Sequence, residues 1–366
     1  MESGYTKSSD SHPVLTDRLA RPLRDLRISV IDQCNFRCRY CMPRDLFSEG
    51  HPFLAPRQLL TFPEIEAVVR AGVGLGIRKV KITGGEPLLR PGLDQLIRRL
   101  TQIPDLEDVG LITNGSQLTV AAERLKAAGL KRISVSLDSL EPQTFSWITD
   151  RAGDPARILN GIDAARRAGL APVKVNMVVQ RGINSAEAVK MAAQFRGTGV
   201  IVRFIEYMDV GSRHHYQSGL LVPSREIRDA VHARWPIEPA GSNYFGEVAD
   251  RYRYLDGAGE IGFISSMTQP FCGSCTRLRL AADGKLYNCL FASEGLDLRS
   301  ILRADAAKRS QTEALQLASP EVCRRLEEAL SGFWRARDDR YSERRQEQNS
   351  DTEPQRRKVE MYQMGG

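Results

Sequence analysis

Cys34-Asn35-Phe36-Arg37-Cys38-Arg39-Tyr40-Cys41 is the stretch that decides the fold. Its cysteines are spaced C-x3-C-x2-C and follow directly on a short β-branched segment, residues 27–31, that reads as a strand. Three thiolates on one loop can each take a corner of a metal centre. A closed zinc site takes four protein ligands, whereas an iron–sulfur cubane held by three leaves one iron open to another ligand. Spacing alone leaves both readings standing, because a distant His could complete a zinc site.

Outward from that loop the chain alternates between strand and helix. Strand patterns fall at 80–83, 109–113, 133–137, 173–179 and 200–207. Helical spacing of apolar residues falls between them at 91–100, 118–128, 156–168 and 185–196. Thr61-Phe62-Pro63-Glu64 reads as a capped helix start, and Gly129 and Gly169 stand where helices end. With the strand at 27–31 this makes six βα units. We therefore expect an α/β fold: a parallel sheet curled into an open, partial (β/α)6 barrel, with a smaller C-terminal α+β domain. The expected division is an arm at 1–22, the barrel at 23–219, the second unit at 220–337 and a charged, mobile tail at 338–366. In the second unit we expect helices at 224–234, 296–303 and 319–337, and a strand at 260–264. Barrel chemistry gathers at the C-terminal ends of strands. Those ends here carry the cysteine loop, Gly84-Gly85-Glu86-Pro87, Thr113-Asn114-Gly115, Ser136-Leu137-Asp138-Ser139, Asn176, and Glu206-Tyr207-Met208.

Composition narrows the class. The 366 residues are 42% hydrophobic and 27% charged, as in an ordinary soluble enzyme, and the net charge of +7 favours an anionic partner. No dense basic block marks the folded part, so a phosphorylated small molecule suits the charge at least as well as nucleic acid. No apolar run reaches the roughly 18 residues of a membrane span. The polar start carries no secretory apolar segment. Seven cysteines split as three, three and one, which suits a reducing cytoplasm better than disulfides.

A second triad, Cys272-x2-Cys275-x13-Cys289, has no His between residues 233 and 366 to complete it locally. A second three-cysteine cluster with an open iron is the better reading. Arg277-Leu278-Arg279 follows, with two guanidiniums on one face by strand alternation. Arg27, Lys81 and Lys174 lie on or near strand ends, where burial would be costly without an anion. Cys323 reads as a small apolar packer, and Gly365-Gly366 closes the sequence.

The cysteine loop, with Tyr40 before its last Cys, and the GGEP segment in that order resemble the signature of radical S-adenosylmethionine (SAM) enzymes. The 271–291 block, FC-x2-C-x-RLRL-x-ADGKL-x-x-CLF, and the Gly-Gly ending resemble the GTP 3′,8-cyclase family of molybdenum-cofactor biosynthesis. That resemblance runs from about Leu19 to Leu302 plus the last residues. It implies two [4Fe-4S] clusters, one on Cys34, Cys38 and Cys41 that chelates SAM, the other on Cys272, Cys275 and Cys289 that holds the guanine. It implies SAM contacts at Tyr40, Gly85, Glu86, Ser136 and Met208, and GTP contacts at Arg27, Lys81, Ile112, Thr113, Lys174, Arg277, Leu278 and Arg279. It places Gly365 and Gly366 in the catalytic step. By the same resemblance, SAM is cleaved reductively and the resulting radical takes H3′ from GTP, whose C3′ then attacks C8. Implied partners are GTP, an electron donor such as a flavodoxin or ferredoxin, and the enzyme that makes cyclic pyranopterin monophosphate; a homodimer is an allowed state. Ile112 and Lys81 depart from the family's usual Thr and Arg. A peptide-modifying radical SAM maturase with an auxiliary cluster is the alternative, but no leader-binding module stands at the N-terminus.

Overall fold

Period-2 alternation in the strands sorts side chains onto two faces, and that sorting builds the molecule. The computed structural model describes residues 14–48, 50–151, 153–211, 216–304, 319–345 and 358–365. Six parallel strands run in chain order: β1 (Asp25–Ser29), β2 (Lys79–Thr83), β3 (Asp108–Thr113), β4 (Arg132–Ser136), β5 (Val173–Val179) and β6 (Ile201–Glu206). Helices α1 (Phe62–Gly74), α2 (Leu93–Thr101), α3 (Leu118–Ala127), α5 (Pro155–Arg167) and α6 (Ala188–Phe195) return the chain between strands. The α1 start is a capping box: the Glu64 amide donates to Thr61 Oγ1 at 3.3 Å and the Thr61 amide to Glu64 Oε2 at 2.7 Å.

Leu26, Ile28, Val80, Ile82, Leu278 and Leu280 point outward into the helical layer and are fully buried. Each contributes about 1.5–3 kcal/mol by leaving water. Their neighbours in sequence point inward, and register brings those together: Arg27 sits opposite Lys81 and Arg279, Ser134 opposite Lys174, and Asn176 opposite Arg203. An apolar outer face thus dictates a cationic interior.

The second unit does not form a sheet of its own. Its strands β9 (Glu260–Ile264) and β10 (Arg277–Leu280) add parallel to β6 and β1, one at each edge of the six. Antiparallel hairpins continue outward through β8 (Asp250–Tyr254) and β7 (Ile237–Ala240) on one side. On the other they pass through β11 (Lys285–Tyr287) and β12 (Leu296–Asp297), giving one twelve-stranded sheet. The helices α7 (Ser224–Arg234) and α9 (Pro320–Arg335) lie where expected. The helix expected over 296–303 is shorter, because 296–297 pair as strand and only α8 (Arg299–Leu302) is helical.

Two short helices among the described residues were not foreseen, Met361–Met364 near the C-terminus and one before α5. The short α4 (Pro142–Thr149) hangs on Pro142 at its first turn and on Phe145 and Ile148 in the core. Its last carbonyls accept from the Arg37 and Arg39 amides at 2.9 and 3.0 Å, so it braces the first cysteine loop. Within the charged stretch, residues 346–357 lie outside the described residues, while 338–345 and Lys358 are placed against the second cysteine loop. Among the described residues no helix is long and apolar enough to cross a membrane.

Candidate active site

The first cysteine loop is built from backbone contacts that only small residues permit. The Gly85 amide donates to Ile31 O at 2.7 Å and the Glu86 amide to Gln33 O at 2.8 Å, laying GGEP along the chain that leads to Cys34. A Cβ on Gly85 would stand 2.2 Å from the Gln33 carbonyl oxygen, so no side chain fits there. The Glu86 carboxylate accepts from Thr113 Oγ1, the Asn114 amide and the Leu88 amide at 2.7, 2.7 and 3.0 Å. Burial pushes its carboxyl up to about 7 against the pull of those bonds. Tyr40 donates to Asp138 Oδ2 at 2.6 Å, and burial raises the Asp138 carboxyl to about 6. Burial likewise raises all three thiols, Cys34 to about 11.

Between the two cysteine loops the barrel interior is cationic. Arg27, Lys81, Lys174, Arg203 and Arg277 line one cavity of about 590 Å³, and Arg27, Lys81, Arg203 and Arg277 also line a second of about 1070 Å³. Among the described residues the side chains of Arg27, Lys81 and Lys174 form no hydrogen bond or ion pair. Burial, then the neighbouring Arg203, hold Lys81 well below the usual lysine range, and the same two causes bring Lys174 down to about 8. Arg27, Lys81 and Lys174 are all half-buried, and cations partly withdrawn from water without partners are costly unless an anion joins them. Arg203 donates to Asn176 Oδ1 at 2.9 Å and Ser134 Oγ at 3.1 Å, and burial lowers it to about 10.

The second cavity ends at Cys272, Cys275 and Cys289. Burial pushes the Cys275 thiol up, but Arg277 and Arg337 outweigh it and bring it to about 6. Burial and the nearby Asp339 push Cys289 to about 12. Among the described residues no three His, Cys, Asp or Glu side chains converge on one point as ligands of a single metal ion would. Three half-buried cysteine thiols on each loop are a donor set that fits an iron–sulfur cluster held by three thiolates. Both loops fit such a group, and binding it would deprotonate the thiols.

The C-terminal segment reaches the same space. Tyr362 is buried against Phe47 and Met42 beside the first loop, and Met364 against Ala281 and Tyr287. The Gly365 carbonyl accepts from Arg279 Nη1 at 2.7 Å. At φ 73° a Cβ on Gly365 would lie 2.0 Å from Thr83 Cγ2, so glycine alone fits at the barrel mouth.

The expected residues do not all share one surface. Ile112, Met208, Arg277 and Arg279 line the larger cavity with Arg27 and Lys81, and Lys174 lines the smaller. Ser136 ends β4 opposite Asn176. Leu278 is turned into the apolar core, and Thr113 gives its hydroxyl to Glu86. Cys323 is half-buried on α9, away from both loops, and Gly366 lies outside the described residues. Sequence reasoning did not single out Arg203, Asp138 or Asn114. Arg203 was legible as the one charge inside the apolar strand 201–205, and Asn114, whose amide bonds Asn35 Oδ1 at 2.8 Å, stood beside the strand-end Thr113.

Comparison with known proteins agrees with this layout. Residues 28–195 match the Radical SAM superfamily, and residues 200–342 match Molybdenum Cofactor Synthesis C. The chain is 46% identical to the GTP 3′,8-cyclase of Acidothermus cellulolyticus, covering 96% of this chain and 99% of that one. It is 46% identical to that of Xanthomonas axonopodis pv. citri and 42% to that of Staphylococcus haemolyticus, with the same coverage. Among solved structures it is similar to Streptococcus suis SuiB bound to S-adenosylmethionine. The TM-score there is 0.52 at 14% identity, covering 86% of this chain and 68% of that one, a likeness of fold alone.

Proposed function

This chain belongs to the GTP 3′,8-cyclase family, and from that premise we propose how its residues divide the work on GTP. It is a radical SAM lyase that converts GTP to 3′,8-cyclo-7,8-dihydro-GTP, and its superfamily brings an iron–sulfur cluster and SAM. The observation that carries the division is the set of half-buried, unpartnered cations that line the barrel interior up to the second cysteine loop.

Cys34, Cys38 and Cys41 hold the first cluster, and Tyr40, Gly85, Ser136 and Met208 border the SAM position. With SAM, that cluster supplies the carbon radical that removes H3′ from the GTP ribose. Cys272, Cys275 and Cys289 hold a second cluster, toward which the guanine lies. Arg27, Lys81, Lys174 and Arg277 neutralise the triphosphate, and Arg203, braced by Asn176 and Ser134, completes the cationic wall. Glu86 acts indirectly: its carboxylate is filled by bonds to the loop after β3, so its contribution is to hold GGEP in place. Arg279 carries Gly365 to the mouth, where the tail excludes water from the reacting ribose. Electrons arrive from a small donor such as a flavodoxin or ferredoxin, and the product passes to the enzyme that makes cyclic pyranopterin monophosphate.

A peptide substrate is less suited to this interior, because a dense group of half-buried cations matches phosphate charge rather than a neutral backbone. The deciding experiment is anaerobic binding of GTP and guanosine to the parent and to Lys174→Ala. GTP should bind far better than guanosine to the parent, and the variant should lose most of that preference. Equal affinities in the parent would overturn the phosphate reading.

A further inference from the structure

The residue after Met208 is Asp209, three residues past the end of β6, and its carboxylate gathers two hydrogen-bond donors and one ion-pair partner from far along the chain. Tyr341 Oη donates to Oδ2 at 2.9 Å, Lys358 Nζ donates to the same oxygen at 2.9 Å, and Arg345 Nε pairs with Oδ1 at 3.0 Å. Lys358 also donates to the Asp209 carbonyl at 2.9 Å. The three charged side chains are only 11–19% exposed, so this is a shielded network rather than a surface pair of small worth. Lys358 and Arg345 outweigh the effect of burial and hold the Asp209 carboxyl below its usual range.

The same residues grip the second cysteine loop. The Tyr341 ring stacks on Phe291, two residues past Cys289, with centroids 4.3 Å apart, and Arg345 and Lys358 lie over both rings. Arg345 and Lys358 are separated by twelve residues, 346–357, that lie outside the described set. Both flanks of that insertion therefore meet on one carboxylate. From Lys358 the chain runs straight into the site: the Val359 amide donates to Ala292 O at 2.9 Å, Tyr362 and Met364 are buried, and Gly365 O meets Arg279.

We propose that Asp209 is a positioning residue, a clasp that joins Tyr341 and Arg345 to Lys358 and fixes where the C-terminal segment turns into the barrel mouth. Because it adjoins Met208, the clasp ties the seating of Gly365 to the strand end that borders the SAM position. The inference rests on the reading above in which the seated tail serves the radical step.

The test uses the full-length holoenzyme and two variants, Asp209→Asn and Arg345→Gln. Hydrogen exchange of residues 358–365 should quicken about ten- to a hundredfold, the range for losing charge-assisted bonds. Product formed per SAM cleaved should fall by a similar factor, while GTP affinity and iron content stay within about twofold. Arg345 meets the segment beyond residues 346–357 both through the shared carboxylate and through the Phe291 and Tyr341 rings, and Asp209→Asn, which leaves the rings in place, tells the two routes apart. Asp209→Glu should restore part of the coupling, which a purely structural lesion would not allow. Parent exchange and parent coupling in Arg345→Gln would overturn the clasp, even if Asp209→Asn fails to fold. If a chain lacking Gly365 and Gly366 makes product at the parent rate, the reading of the tail fails instead.

Discussion

The two cysteine loops carry the same donors and are both partly withdrawn from water, but they differ in the charges that stand nearest. Around Cys34, Cys38 and Cys41 stand Glu86, Asp138 and Glu360, and each of these carboxylates pushes a thiol of that loop upward. Around Cys275 stand Arg277 and Arg337, which pull its thiol down, and Arg279 lies near it, while Cys289 of the same loop has Asp339 beside it and is pushed up. Three thiols fit an iron–sulfur cluster in both places, so under the proposed division the difference lies in what else each pocket suits. An acidic setting suits a cation such as the sulfonium and ammonium of SAM. A basic one suits a polyanion such as GTP. The comparison teaches that charge around a ligand set, rather than the ligand set, separates a cofactor end from a substrate end.

The sharpest way to break that comparison is to remove one loop at a time. Cys34→Ala, Cys38→Ala or Cys41→Ala should abolish SAM cleavage altogether. Cys289→Ala should leave uncoupled SAM cleavage and form no cyclised product. Anaerobic assays of 5′-deoxyadenosine and of product, beside iron analysis, check both. Normal cyclisation by Cys289→Ala would erase the distinction between the two ends.

The tail spans the two loops, since Tyr362 packs at the first and Arg279, next to the second, holds Gly365. Deleting Gly365 and Gly366 should therefore leave GTP affinity and iron content close to the parent while product formation collapses. Arg279→Ala should lose the tail's carbonyl bond as well as a cation, and so lower product formation and weaken GTP binding together. A parent rate of cyclisation after the deletion would reduce the tail to an ornament.

The basic end can be sharpened by single charges. Arg277→Ala or Lys174→Ala each removes contacts worth roughly 1.5–3 kcal/mol, so GTP should bind about ten- to a hundredfold less tightly. SAM binding at the acidic end should not change. If both ligands weaken equally, the two ends are not electrostatically separate.

Much of this was legible because periodicity and special residues carry physical demands. The six strands followed from β-branched runs between helical spacings, and Arg277 and Arg279 faced one way because a strand alternates. The ending Gly365-Gly366 reads by itself as a frayed end, and only the family resemblance pointed it toward the site, where Gly365 O meets Arg279. What stayed hidden depended on contacts distant in sequence. Nothing local in Glu260-Ile261-Gly262-Phe263-Ile264 says that it will pair with β6, nor that β10 will close on β1. Thr113 and Leu278 were expected at the nucleotide, but the pleat turns one toward Glu86 and the other into the core. Arg203 was passed over as part of an apolar strand, although a guanidinium there has nowhere to go but inward. Asp209 had no signal at all, because its three partners lie between 132 and 149 residues away.

The smallest expected effect concerns pH and again tells the two ends apart. Burial, with Arg203 and Arg132, brings Lys174 from the ordinary lysine value of about 10.4 to about 8 in the free protein. A triphosphate beside it favours the charged form, so binding raises its pKa and the affinity is linked to proton uptake. Below about pH 7 the lysine is already charged in the free protein, and affinity should be flat with respect to this group. As pH rises through about 8 the free protein loses that charge, and GTP must bind together with a proton. Affinity should then fall by up to about tenfold per pH unit until it levels off near the pKa of the bound state. Calorimetry at pH 8.5 in buffers of different ionisation enthalpy should show uptake of up to one proton per GTP. Lys174→Met should abolish both the slope and the uptake at a weaker overall affinity. SAM binding at the acidic end should take up no proton from Lys174, and its pH dependence should not respond to the Met variant. A slope for GTP that survives Lys174→Met would assign the titration to another group in the barrel.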